Sequence, residues 1–185
     1  MAAMAAHRRA KMWESAAWAV LKCERPDMGA GASALRMMSE AVKSVCIEVV
    51  AQKSGVSSAQ SRDSGATPTG LAMEAAVRRV FAPCHQGQIL AASVGQPPPL
   101  EDVMQAVAQQ WPEMASQTAQ SLAACAAEAL SLLVRPATEI ADERHAKASV
   151  LDGCLFLQDL KHAMDAEPEL AMLFRGSVPL PSDMN

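Results

Sequence analysis

Twice along this chain a short amphipathic run stops at a proline, and a much longer helix-like run follows within a few residues. Trp13, Ala17, Val20 and Leu21 recur at helical spacing and must stop before Pro26, because the residue ahead of a proline avoids the α region. Leu35, Met38, Val42, Val45 and Val49 then recur at steps of three and four. That spacing predicts a long helix from Ser33, whose hydroxyl can accept from the free amides at its start, to Gln52 or a few residues beyond. Further on, Leu100, Val103, Met104, Val107 and Trp111 make a second short run ended by Pro112, and QTAQSLAACAAEALSLLV makes a second long one, expected to stop at Pro136. With three Phe, three Trp and no Tyr, the core must be built of Ala, Leu, Val and Met, which suits packed helices rather than sheets. The expected fold is all-α, with two long helices crossing near residues 33–54 and 115–134.

Between the repeats, the loop GVSSAQSRDSGA leads to Thr67-Pro68, an N-cap followed by a proline at the first helical position, and then to LAMEAAVRRVFA. Pro83 ends that helix and HQGQILAASVG forms one further short one. The stretch GQPPPL then divides the charge: residues 1–99 hold 11 Lys and Arg against 7 Asp and Glu, net +4, and residues 100–185 hold 5 against 13, net −8. Two modules are expected, 1–95 and 100–185, joined by a short, stiff proline-rich linker over 96–99.

Several functional classes have no support. No run approaches a membrane span, and the start MAAMAAHRRAK lacks the apolar block of a signal peptide. Five scattered cysteines, an odd number, fit a reduced intracellular compartment. Cys84-His85 is the only adjacent pair of metal-ligand types, and no second Cys/His pair stands at zinc-finger spacing, so neither metal nor cofactor is expected. His7, His85, His145 and His162 have no nucleophile or carboxylate at catalytic spacing and no glycine-rich phosphate loop is present, which argues against an enzyme.

The order short helix, long helix, short helix is the plan of the histone fold, and particular residues carry that likeness. VLKCERPDMG (residues 20–29) resembles the end of the first helix and the first loop of core histone 2B; ALRMMSEAV resembles that family's entry to the central helix, with Ala34 and Met38 matching. ATPTGLAMEAAVRR resembles its second loop and third helix through Thr67, Thr69 and Ala76-Val77-Arg78, and Trp13 and Trp18 fall where the family carries tyrosines. The likeness covers residues 9–95. In the second module, LFLQDLKHAMDAEPELAMLFRG resembles the third helix and following short helix of core histone 2A, with Leu160, Ala163, Met164, Glu167, Glu169, Leu170, Leu173 and Phe174 at matching positions. AAEALSLL is similar to its central helix through Ala127-Glu128.

A 2B-type module followed by a 2A-type module resembles the histone doublets of some large DNA viruses. That likeness implies two tandem histone folds in an intramolecular handshake, packaging double-stranded DNA without reading its sequence, in the nucleus or in the viral factory or virion. It implies a partner of histone 3 and 4 type, meeting the helices between Arg78 and Val94, and a higher oligomer with it. Loop amides, helix N-termini and Lys/Arg would hold phosphates. The implied DNA-binding residues are Arg8, Arg9, Lys11, Lys22, Arg25, Arg36, Arg62 and Thr67 in the first module and Arg135, Arg144 and Lys147 in the second, with Arg9 near the family's minor-groove arginine. Glu128, Glu167 and Glu169 match the acidic patch that receives arginine-bearing partners.

The departures from that family are specific. WPEMASQ carries no base where the 2A-type first loop has arginine; Pro136 to Gly153 is about ten residues longer than its counterpart; both tails, MAAMAAHRRAK and SVPLPSDMN, are short; and Ala123, Ser131 and Pro168 replace other patch residues. A net negative chain is expected to bind DNA weakly without a basic partner. The alternative is a histone-fold regulatory or scaffold protein that assembles other proteins without wrapping DNA.

Overall fold

The structure is a computed structural model that describes residues 2–56, 68–94, 100–148 and 153–174. Arg62, Thr67, the linker 96–99 and the segment after Gly176 lie outside the described residues.

Eight helices and two very short strands follow in the order α1 (Ala2–Glu24), β1 (Gly29–Ala30), α2 (Ala32–Val56), α3 (Pro68–Val80), α4 (Pro83–Ser93), α5 (Glu101–Gln110), α6 (Ser116–Ala148), β2 (Cys154–Leu155), α7 (Leu157–Ala166) and α8 (Pro168–Leu173), counted among the described residues. The all-α expectation holds, and the prolines punctuate most of it. Pro26 follows α1, Pro68 and Pro83 open α3 and α4, and Pro112 follows α5.

Three details differ from the sequence reading. The segment MAAMAAHRRAK is not a tail: from Ala2 it is the first part of a 23-residue α1, as its alanines favour. Ser33 is not the cap of α2, which starts one residue earlier with the Leu35 amide bonded to the Gly31 carbonyl at 3.0 Å. Pro136 does not stop α6, which runs on for 12 more residues to Ala148. A proline in a helix interior forfeits one hydrogen bond and crowds the preceding turn, at a cost of about 3 kcal/mol. Burial of Ala137, Thr138 and Ala141 and the partners of Arg144 offset that cost. The extra length between Pro136 and Gly153 is therefore mostly helix.

The two halves of the chain, taken as modules in the sequence reading, share one core. Trp13, Leu21, Met38 and Val49 from the first and Leu122, Leu130, Leu160 and Phe174 from the second belong to one cluster of buried residues. Helix α1 packs on α5, α2 on α6 and α4 on α6, so each central helix meets elements of the other module. Trp13 and Trp111 meet edge to face across this boundary, their ring centroids 6.5 Å apart. The loop after α1 also pairs with the segment before α7. β1 and β2 run parallel with Gly29 opposite Cys154 and Ala30 opposite Leu155, through Gly29 N to Gly153 O at 2.7 Å and Gly31 N to Leu155 O at 2.9 Å. Gly31 sits so close to Phe156 that a Cβ there would lie 3.3 Å from the ring.

Candidate nucleic-acid interface and acidic surface

The Ala-rich start of α1 carries Arg8, Arg9 and Lys11, all exposed, along an open groove between α1 and α5. His7, Ser15, Asp102, Gln105 and Gln109 also line it, and Ser15 Oγ donates to Asp102 Oδ1 at 2.9 Å. Three cations within four residues, facing amides and a single carboxylate, give this groove a basic lining. Arg36 is exposed on the first turns of α2.

Lys22, Arg25, Arg135, Arg144 and Lys147 have partners within the chain. Lys22 Nζ donates to the carbonyls of Pro26 at 3.0 Å and Met28 at 2.8 Å and lies 4.8 Å from the Trp18 ring centroid, so it closes the C-terminal end of α1. Arg25 is held by Asp27 at 3.2 Å and by both oxygens of Asp142, and these carboxylates push its pKa up. Arg135 makes two bonds to Glu24, 3.0 and 2.9 Å, with Glu128 at 3.9 Å. The Arg135 hydrogen bonds hold the Glu24 carboxyl below its usual value against the opposing effect of burial. Lys147, largely in solvent, stands 3.8 Å from Glu143.

Arg144 is the most enclosed of these pairs. Its Nε and Nη2 reach the two oxygens of Asp159 at 3.0 and 2.9 Å, Nη2 also donates to the Cys154 carbonyl at 2.8 Å, and the guanidinium lies 4.5 Å from the Phe156 ring centroid. Asp159 additionally accepts from the Phe156 amide at 2.8 Å, closing the N-terminus of α7. Burial raises the Asp159 pKa, but these hydrogen bonds and the Arg144 charge outweigh it and hold the carboxyl below the ordinary value. Arg25, Arg135 and Arg144 thus each hold a carboxylate of the same chain, with part of each side chain still exposed.

The three acids matched to an acidic patch also have different surroundings. Glu128 is half-buried near Arg135, and Glu167 is exposed at the junction of α7 and α8. Glu169 faces the start of α4, where its Oε2 accepts from the Cys84 thiol and lies 3.9 Å from His85 Nε2. The hydrogen bond to Glu169 and its negative charge push the Cys84 thiol up. Linear spacing offered no third ligand for Cys84-His85; α8 supplies one from 84 residues away in sequence, and the three ligand atoms lie within 4.8 Å of one another.

The remaining thiols and imidazoles are divided between core and surface. Cys46 and Cys125 are buried and their pKa values pushed up by burial, Cys125 to about 12, which leaves both as inert thiols. His145 is buried, with Nε2 accepting from the Cys154 amide at 3.5 Å, and His162 is exposed on α7. Among the described residues, no helix is long and apolar enough to cross a membrane. No protein-family model matches the sequence, and no curated protein matches it significantly.

Proposed function

We propose that this chain is a histone-like doublet, a structural DNA-packaging protein whose two modules pair within one chain and which works with a basic partner of histone 3 and 4 type. The observation that carries the reading is the exchange between modules. The loop after the first helix of one pairs in parallel with the segment before the third helix of the other, Gly29–Ala30 with Cys154–Leu155, beneath packed central helices α2 and α6. The second module keeps the short, long, short plan of a histone fold with helices of 10, 33 and 10 residues, whereas in the first module α1, at 23 residues, is nearly as long as the 25-residue α2. Covalent linkage sets an effective concentration of order mM for the pairing, so the dimer needs no second chain.

DNA contact on this reading is concentrated at the Arg8, Arg9 and Lys11 groove, with Arg36 as a further phosphate contact. Such a particle belongs in the nucleus or in the factory or virion of a DNA virus. The experiment is nuclease protection of DNA mixed with the chain and a histone 3 and 4 type partner across a salt series. A discrete protected length that needs both proteins and fades with salt supports packaging.

One observation favours a second reading, a scaffold that assembles proteins without wrapping DNA. Arg25, Arg135 and Arg144 are all paired with acids inside the chain, on a molecule of net charge −4. Stable association with the partner and no protection at low salt would decide for it.

A further inference from the structure

Cys84 and His85 stand in the first turn of α4 and Glu169 in the first turn of α8, so the cluster joins the last described helix of the first module to the last of the second. We propose that Cys84, His85 and Glu169 form a zinc(II) site that fastens α8 onto α4. The proposal rests on the local geometry and is independent of the DNA-packaging reading.

Three arguments carry it. The donors are a thiol, an imidazole and a carboxylate, a set that suits zinc, whereas magnesium and calcium take oxygen alone. Their ligand atoms lie within 4.8 Å of one another, and His85 Nε2 is 3.9 Å from Glu169 Oε2. Tetrahedral zinc with bonds of about 2.0–2.3 Å spaces its donors roughly 3.3–3.8 Å apart, so shifts of about an ångström, parting Cys84 Sγ from Glu169 Oε2 and drawing the wider pairs together, form the site. Cys84 and Glu169 are exposed and free to make them. Finally, His85 Nε2 is buried without a hydrogen-bond partner. An unsatisfied buried nitrogen costs free energy, and a metal ion beside it would take up its lone pair.

The chemistry balances without a redox step. Zinc replaces the proton of the Cys84 thiol, which leaves to solvent; neutral His85 and ionised Glu169 supply the other two donors. Thiolate and carboxylate cancel the ion's two positive charges, and the solvent-facing fourth position holds water. Because one donor comes from α8 and two from α4, the ion acts as a cross-link between modules rather than as a local clip.

The test uses the full chain, stripped with a chelator and titrated with cobalt(II), then with zinc in competition. Binding of one equivalent with a thiolate-to-cobalt charge-transfer band, release of about one proton, and a zinc-dependent rise in melting temperature are expected. Cys84→Ser and Glu169→Gln should each weaken binding at least about tenfold and abolish the melting shift, while Cys23→Ser retains both. All three positions are at least partly exposed, so an unchanged far-UV circular dichroism spectrum is expected, and His85→Ala provides an additional variant. Absence of the thiolate band, or equal affinity in the wild type and Cys84→Ser, would overturn the site and leave a thiol–carboxylate hydrogen bond only.

Discussion

Arg144 and Asp159, on α6 and α7, are joined by two parallel hydrogen bonds of 3.0 and 2.9 Å, and the same guanidinium also takes the Cys154 carbonyl beside β2. The pair therefore anchors the segment that crosses to the first module. Asp159→Asn should destabilise the fold by roughly 2–3 kcal/mol, less than the 3–5 of a wholly buried pair because Arg144 keeps part of its side chain in water. Chemical denaturation at neutral pH measures it.

The lowered Asp159 pKa also fixes a pH dependence. A carboxyl whose folded pKa is depressed contributes stability that is present in full above its unfolded value of about 3.9 and is lost as pH falls through the folded value. Glu24, lowered by Arg135, acts in the same direction. Melting temperature should fall steeply below about pH 4 in the wild type, with a shallower slope in Asp159→Asn.

Trp13 buries its ring while its Nε1 has no hydrogen-bond partner. Trp13→Ala should cost roughly 3–5 kcal/mol through the cavity it leaves. Trp13→Phe should cost only about 1 kcal/mol, because removing the unsatisfied N–H offsets part of the lost area. Equal costs in urea titrations would show that the indole nitrogen carries no penalty.

Pro136 lies inside α6, so replacing it restores a backbone donor and relieves the ring's clash with the preceding turn. Pro136→Ala should stabilise the fold by about 1–2 kcal/mol, after allowing for the freer unfolded chain, and raise the melting temperature by roughly 2–8 °C. A loss of stability would mean that the proline sets a bend needed for the Arg135–Glu24 and Arg144–Asp159 pairs.

If the packaging reading holds, the internal carboxylates restrain DNA affinity. Asp142→Asn removes one partner of Arg25 and should strengthen DNA binding, steepening the slope of log K against log salt by about 0.9 for each added phosphate contact. Combined Arg8→Ala, Arg9→Ala and Lys11→Ala should do the reverse. Filter-binding titrations at several salt concentrations measure both.

What could be read from the chain was local. Pro26, Pro83 and Pro112 end or open helices by sterics within one turn, and the three- and four-residue spacing of Met38, Val42, Val45 and Val49 marks a face that is buried. Pro136 misled because its cost is offset by contacts made far along the chain, among them Arg144 with Asp159. The partners of the arginines were hidden for the same reason: the fold brings Asp142 to Arg25 and Glu24 to Arg135 from 117 and 111 residues away. The Cys84, His85 and Glu169 cluster is likewise invisible to linear spacing. The N-terminal stretch is a different case, since its alanines carried a helical signal that its likeness to a tail obscured.

The pairing of Gly29 with Cys154 has a consequence for synthesis. At a translation rate of about 5–20 residues per second, the roughly 125 residues between them take about 6–25 s to emerge. Until α5 and α6 emerge late in that interval, the faces of α1, α2 and α4 that belong against them have nothing to pack on. The nascent first half thus presents apolar surface that only later synthesis covers, and slow codons in the second half would lengthen its exposure.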